Sequence, residues 1–256
     1  MIKTLLTMVL FFVLTGTIFG QSKLFEKVTF SVSIGSAIPV GNYSSSSIQN
    51  AQLFLPEDDR VFLGLDKSKA GFAQTGFNYR FQIEYLFSPK IHTFIRLGRS
   101  SNPVINEVLE TFFSDRFMGT VSFHHDNYQL GTALSGLGYR KAFGNWSVSL
   151  AALLGYGQMN YPYYQAELLF TTTDPKLVYS HSPFAERPNL SSLVYGGLFN
   201  FFYQKRSFRF GIDSSIELAN FDYEMSNGTP GTSYLPFNNV LKTSLINLGL
   251  HVGYSF

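Results

Sequence analysis

From Lys27 to the last residue, apolar and polar side chains alternate with a period of two, which is typical of β-strands that have one apolar face. The clearest segment is 77–87, where Phe77, Tyr79 and four more large apolar residues alternate with a mostly polar set. Seven other segments show the same alternation; they begin at residues 27, 92, 128, 146, 193, 208 and 245. The sequence therefore predicts eight strands.

The connections between these segments are alternately short and long. Short turns are predicted at Pro89-Lys90-Ile91, Gly144-Asn145 and Lys205-Arg206. Long loops are predicted over residues 36–70, 100–127, 158–192 and 221–242. Short turns on the periplasmic side and long loops outside are typical of outer-membrane barrels. The predicted fold is all-β, an eight-stranded antiparallel transmembrane β-barrel with short periplasmic turns and four long extracellular loops.

The predicted turns also set the register of neighbouring strands. Gly144-Asn145 pairs Phe143 with Trp146, and Lys205-Arg206 pairs Tyr203 with Phe208, so that outward residues meet outward residues. In the fourth strand, the predicted outward residues are at first Tyr128, Leu130, Thr132 and Leu134. The apolar phase then shifts to Leu137, Tyr139 and Phe143, so we predict a β-bulge near Ser135-Gly136. A soluble lipocalin-like barrel is the alternative, and it would place apolar residues inside.

The N-terminus and the composition agree with export to the envelope. A basic start, an apolar stretch over 5–14 and small residues up to Gly20 predict a signal peptide at 1–20 and a barrel domain at 21–256; an uncleaved anchor helix is the alternative. Charged residues make up only 14% and aromatic residues 17%. The chain has no Cys, which excludes disulfides, thiol chemistry and a lipoprotein anchor. Its net charge of +2 is spread without basic blocks, so nucleic acid is not an expected partner. No cofactor is expected either.

Aromatic residues cluster at the predicted membrane boundaries, as in barrel girdles. The predicted periplasmic girdle is Phe87, Phe143, Trp146, Tyr203, Phe208, Tyr254 and Phe256. Phe77, Tyr128, Tyr156 and Tyr195 are predicted near the outer ends.

Charged residues at inward positions predict an ion network in the lumen. Its predicted members are Arg80, Glu84, Arg96, Arg209, Asp213, Glu217 and His251. A turn centred on Lys90 would pair Glu84 with Arg96. An eight-stranded barrel has room for side chains but not for a stream of water, so the network would plug the lumen; a gated conduction path is the alternative.

The last strand, 245–256, ends in Tyr254 and Phe256 and resembles the assembly signal of outer-membrane barrels. The run from Phe30 to Tyr43 is similar to the opening of the small barrel family typified by outer-membrane proteins A and X. The resemblance implies an outer-membrane location, contact with membrane lipids and lipopolysaccharide, and insertion by the barrel-assembly machinery. The resemblance covers the barrel alone, so we do not expect the cell-wall tether of outer-membrane protein A.

Two loop segments contain histidine, His124-His125-Asp126 and Ser180-His181-Ser182. Adjacent histidines on a strand point to opposite sides, so we expect no metal site at His124-His125-Asp126. Catalysis needs a nucleophile, a base and an orienting group held together, and adjacency in sequence does not show this, so we expect no catalytic residue in either segment. Apolar pieces such as Leu53-Phe54-Leu55 and Leu168-Leu169-Phe170 indicate loops that cover one another or meet an envelope protein partner. The sequence thus favours a non-enzymatic barrel acting through its loops, in surface contact or as an accessory subunit. A lipid-A-modifying deacylase or acyltransferase and a small channel are the alternatives.

Overall fold

The computed structural model describes residues 27–55, 58–66, 68–117, 119–162, 164–170, 177–179, 189–227 and 235–256. The predicted signal peptide and the segment Ser180-His181-Ser182 lie outside these ranges. None of the helices in these ranges is long and apolar enough to cross a membrane.

Eight antiparallel strands close into a barrel, as predicted. They are β1 Val28–Pro39, β4 Gly76–Leu86, β5 Ile91–Asn102, β7 Tyr128–Phe143, β8 Trp146–Asn160, β11 Asn189–Lys205, β12 Phe208–Asn227 and β13 Leu235–Ser255. The order around the barrel is β1-β13-β12-β11-β8-β7-β5-β4, and β1 also pairs with β4. Since every one of these strands pairs on both sides, the barrel has no open edge.

Short elements that the sequence did not predict lie in the long loops. They are the strands β2 Gln52–Leu55, β3 Asp58–Leu65, β6 Gly119–His125, β9 Tyr164–Phe170 and β10 Leu177–Tyr179, the helices α1 Ile48–Ala51 and α2 Asn106–Phe117, and a 3-10 turn at Gly41–Tyr43. β2 pairs with β3, while β6, β9 and β10 form a second sheet. This second sheet joins two different loops by backbone hydrogen bonds, because β6 follows β5 and β9 follows β8.

Alternate residues of the barrel strands face outward, and the large outward residues are apolar. On β8, Leu150 is 60% exposed whereas its neighbour Ser149 is 1% exposed. The outward set on this strand runs from Trp146 to Tyr156, which at about 3.3 Å per residue and a tilt of about 40° spans roughly 25 Å. That height matches the apolar band of an outer-membrane barrel.

The register confirms one predicted turn and corrects two. Phe143 pairs with Trp146 across Gly144-Asn145, as predicted, and Gly144 has a φ of 60°. At the next short turn, however, Lys205 pairs with Phe208, so the turn is Arg206-Ser207. The prediction was one residue early because neither Lys205 nor Arg206 carries a turn signal of its own, and Arg206 takes the positive φ of 55°.

The turn between β4 and β5 is also shifted from its predicted centre. The Ser88 hydroxyl accepts hydrogen bonds from the backbone N–H of Lys90 at 3.3 Å and of Ile91 at 3.1 Å, which starts β5 at Ile91. Glu84 consequently pairs with Phe94, and Arg96 pairs with Gln82. The predicted pair of Glu84 and Arg96 is therefore wrong.

The predicted bulge at Ser135-Gly136 is wrong too, since β7 keeps one continuous register with both β5 and β8. The four residues predicted to face outward, Tyr128, Leu130, Thr132 and Leu134, all face inward and are buried. Outward positions here are filled instead by Ala133 and Ser135, which are small. Hydrophobicity misled the prediction because the barrel interior is apolar at this height.

Strands β11 and β12 approach each other closely at Gly196. A Cβ added to Gly196 would lie 1.8 Å from the carbonyl oxygen of Ile216, whereas one added to Gly197 would meet nothing closer than 3.8 Å. Gly196→Ala should therefore prevent the β11–β12 pairing or displace it, and Gly197→Ala should not. We expect the unboiled Gly196 variant to lose most of its fast-migrating folded band on a gel.

Gly197→Ala is the matched control, since it adds the same atom one residue away. Equal folded fractions for the two variants would contradict the described approach of β11 to β12.

Candidate functional site

The half of the barrel interior nearest the short turns is charged. All seven residues of the predicted ion network face inward, and each is at most 5% exposed. Arg140 and His92, which the prediction omitted, lie in the same region and are also buried. Strand parity was the signal that could have found Arg140, since Tyr139 beside it faces outward.

Glu84 is the centre of the first cluster. Its Oε1 accepts hydrogen bonds from Arg209 Nη1 at 2.8 Å and from Arg140 Nη2. His92 Nε2 lies 4.0 Å from Oε2 of the same carboxylate. Both guanidinium groups also lie 5.0 Å from the ring centroid of Phe202. One carboxylate and one aromatic ring thus hold two arginines from β7 and β12.

Two further ion pairs lie above this cluster. Arg96 Nη1 donates to Asp213 Oδ1 at 3.2 Å, and its Nε donates to Gln82 at 2.9 Å. Arg80 Nη2 lies 3.3 Å from Glu217 Oε1, and its Nη1 donates to Asn78 at 2.6 Å. These contacts join β4 and β5 to β12 on the opposite wall, so they cross the lumen rather than follow one strand pair.

The interior network carries more positive than negative charge among the described residues. It holds four arginines against three carboxylates, and this is why Glu84 serves two guanidinium groups. Removing one partner of a buried ion pair costs about 3–5 kcal/mol, because the other charge stays buried. Glu84 is therefore the position at which a single neutral substitution leaves the most charge unbalanced.

The half of the interior nearest the long loops is mostly apolar, a feature that the sequence did not predict. Leu130, Leu134, Val194 and Phe221 are buried there. They pack with residues from β8, β13 and the first loop in one continuous core.

Four tyrosines lie across the outer mouth of the barrel. Ring centroids are 5.2 Å apart for Tyr43 and Tyr128, 6.0 Å for Tyr128 and Tyr161, and 5.6 Å for Tyr161 and Tyr223. The Tyr128 hydroxyl donates to the carbonyl of Gly71 at 2.8 Å. Burial raises the pKa of Tyr43 above its ordinary value, so this phenol is neutral. We call this set the tyrosine row.

The first loop is tied to the barrel rim by backbone hydrogen bonds. Val40 N donates to Ser244 O at 2.9 Å, and Ala73 N donates to Tyr43 O at 3.1 Å. Ile105 N, in the second loop, donates to Phe72 O at 2.8 Å. The residues that hold Tyr43 in the mouth therefore come from both limbs of the first loop and from the second.

The predicted girdle residues lie near the strand ends and are exposed or half-buried, and one residue of the outer set differs. Phe87, Phe143, Trp146, Phe208 and Tyr254 are exposed, and Tyr203 and Phe256 are half-buried. At the outer ends Phe77, Tyr156 and Tyr195 are exposed. Tyr128, predicted with them, is buried in the mouth instead, because it belongs to the tyrosine row.

The prediction for the histidine pair of the second loop falls on side chains that the structure does not describe. His124 and His125 lie on β6, and their side chains are outside what the structure describes. Among the residues that it does describe, no three His, Asp or Glu side chains are grouped as metal ligands.

Comparison with solved structures returns small outer-membrane barrels. Neisserial surface protein A and OprG from Pseudomonas aeruginosa each align with a TM-score of 0.46, at 12% and 11% identity, over 90% of this chain and 97% of theirs. Ail, the attachment invasion locus protein of Yersinia pestis, aligns at 0.38 and 15% identity over 90% of this chain and 99% of its own. The sequence matches no protein-family model and no curated protein.

The exterior of the barrel is apolar, which shows that the barrel lies in a membrane. Tyr79, Phe201 and Leu248 are each more than a third exposed, while Arg80 and Asp213 are buried. A soluble barrel would have the opposite arrangement. The chain is an outer-membrane β-barrel protein. In proteins of this kind the short turns lie in the periplasm and the long loops lie outside the cell.

The Glu84 cluster predicts an order of stabilities. Glu84→Gln should lower the free energy of unfolding by about 3–5 kcal/mol, because Arg140 and Arg209 then share no carboxylate. Arg140→Gln should cost less, because it leaves Glu84 paired with Arg209. Urea unfolding in lipid vesicles measures both.

Glu107→Gln, at an exposed position on α2, is the control and should leave the unfolding midpoint unchanged. If Glu84→Gln were no less stable than Arg140→Gln, the shared carboxylate would not organise the network.

Proposed function

We propose that this protein is a non-enzymatic outer-membrane barrel whose interior is closed and whose extracellular loops bind a partner. The tyrosine row carries the proposal, because it fills the mouth where a conducting lumen would open. Beneath it lie the apolar core and then the ion pairs, so polar groups line only part of the path. These three layers support a plugged lumen rather than a channel.

The loops have folded elements that can present a fixed surface. Helix α2 buries Leu109, and the backbone N–H of Val121 on β6 donates to Ser114 Oγ at 2.9 Å. The opposite side of the helix exposes Glu107, Thr111 and Asp115, which follow one another at intervals of four residues. A helix anchored on one side and exposed on the other is suited to contact another molecule.

The charge of the loops indicates the chemistry of the partner. The connections 40–75, 103–127, 161–188 and 228–234 contain eleven acidic and six basic residues. Such a surface favours a basic or neutral partner and repels polyanions. One structure of Ail is a complex with the heparin analogue sucrose octasulfate. A sulfated ligand does not fit the acidic loops of this chain, so we propose a basic surface of an envelope or extracellular protein.

Crosslinking in intact cells tests this proposal. A photo-crosslinking amino acid at Thr111, on the exposed side of α2, should yield a discrete crosslinked protein species. The same amino acid at Asn145, in the periplasmic turn, should not yield that species. Glu107→Lys with Asp115→Lys should abolish the product at Thr111, since the helix would then repel a basic partner.

Absence of any product at Thr111 in a correctly folded, surface-exposed protein would argue against the proposed partner contact. A product that survives both charge reversals would retain the contact and reject its electrostatic basis.

A further inference from the structure

The periplasmic end of the barrel carries exposed basic residues. Lys27, Lys90, Lys141, Lys205 and Arg206 are all exposed there, and we call them the basic rim. Within the described residues, Glu84 is the acidic side chain of this end, and it is buried and already paired. The basic rim is therefore not neutralised by acidic side chains of the described chain.

The basic rim extends around the circumference rather than along one strand pair. Lys27 precedes β1, Lys90 lies between β4 and β5, Lys141 is near the end of β7, and Lys205 and Arg206 are at the turn between β11 and β12. In barrel order β1, β4, β5 and β7 are consecutive, and the turn between β11 and β12 lies on the opposite side, separated from them by β13 and β8. Any ligand that contacted all of them would have to surround the barrel.

Two members of the basic rim point sideways, at the level of the aromatic girdle. Lys141 lies on the outward face of β7, and its Nζ is 5.1 Å from the ring centroid of Phe143. Lys205 lies on the outward face of β11 and pairs with Phe208. Trp146 and Tyr203, with ring centroids 5.0 Å apart, lie beside them. These ammonium groups are thus placed where apolar chains give way to lipid headgroups.

We propose that the basic rim binds the phosphate groups of anionic phospholipids in the periplasmic leaflet. A soluble periplasmic ligand would approach from below and would not require outward-facing lysines between girdle aromatics. A ring of lipid headgroups meets every member of the rim at once. Each basic residue near an anionic membrane surface strengthens the attraction by roughly fivefold, and salt weakens it.

Lipid retention in native mass spectrometry tests the proposal. The folded protein is reconstituted in nanodiscs with equal amounts of phosphatidylglycerol and phosphatidylethanolamine, and the lipids that stay bound after release are counted. The unsubstituted protein should retain phosphatidylglycerol in several-fold excess. The triple variant Lys90→Gln, Lys141→Gln, Lys205→Gln should lose most of that excess and retain the two lipids in nearly equal amounts.

The matched control removes three exposed basic residues from the other end, with Lys69→Gln, Arg99→Gln and Lys242→Gln. It should keep the preference of the unsubstituted protein. Heat-modifiable migration shows first that each variant is folded. If the rim variant did not fold, loss of the preference at raised salt in the unsubstituted protein would still test the electrostatic claim.

Equal retention of the two lipids by the unsubstituted protein would overturn the proposal, and so would an equal loss in both triple variants. Binding of purified peptidoglycan sacculi by the unsubstituted protein but not by the rim variant, without a lipid preference, would assign the rim to the cell wall instead.

Discussion

Hydrocarbon offers no hydrogen bonds, so every backbone N–H and C=O in the membrane must be paired within the protein. The barrel meets this constraint by closing β1 on both β13 and β4. Closure with eight strands fixes a narrow interior that side chains must fill. The two faces of each strand therefore meet opposite requirements. The exterior contacts acyl chains and must be apolar, whereas polar groups in the interior must pair with one another.

The interior is filled by two layers of side chains, one charged and one mostly apolar. Near the periplasm, three carboxylates and four arginines pair across the lumen, with Glu84 shared between Arg140 and Arg209. Near the long loops, the apolar core and the tyrosine row fill the interior. The loops continue this outer layer through hydrogen bonds between their backbones. The two contacts that we propose lie on surfaces, at the acidic loops on one side and at the basic rim on the other.

The sequence predicted the features that depend on local residue patterns and missed those that depend on contacts between distant strands. Strand number and outward faces were predictable because Phe77 and its alternates must meet lipid. The turn Gly144-Asn145 was predictable because glycine accepts its positive φ. Tyr128 and its neighbours on β7 were misassigned because apolar residues line both the exterior and the outer interior. The partners of Glu84 depend on strands distant in sequence, which no local pattern reveals.

The central claim is that alternate residues of each strand face lipid and the lumen. Site-directed spin labelling measures the lipid exposure of each position directly. Because the chain has no Cys, single cysteines can be introduced in turn from Ser147 to Leu154 of β8 and labelled in lipid vesicles. Oxygen, which concentrates in hydrocarbon, should relax labels at Val148, Leu150, Ala152 and Leu154 strongly and those between them weakly. Alternation in the opposite phase, or no alternation, would contradict the account.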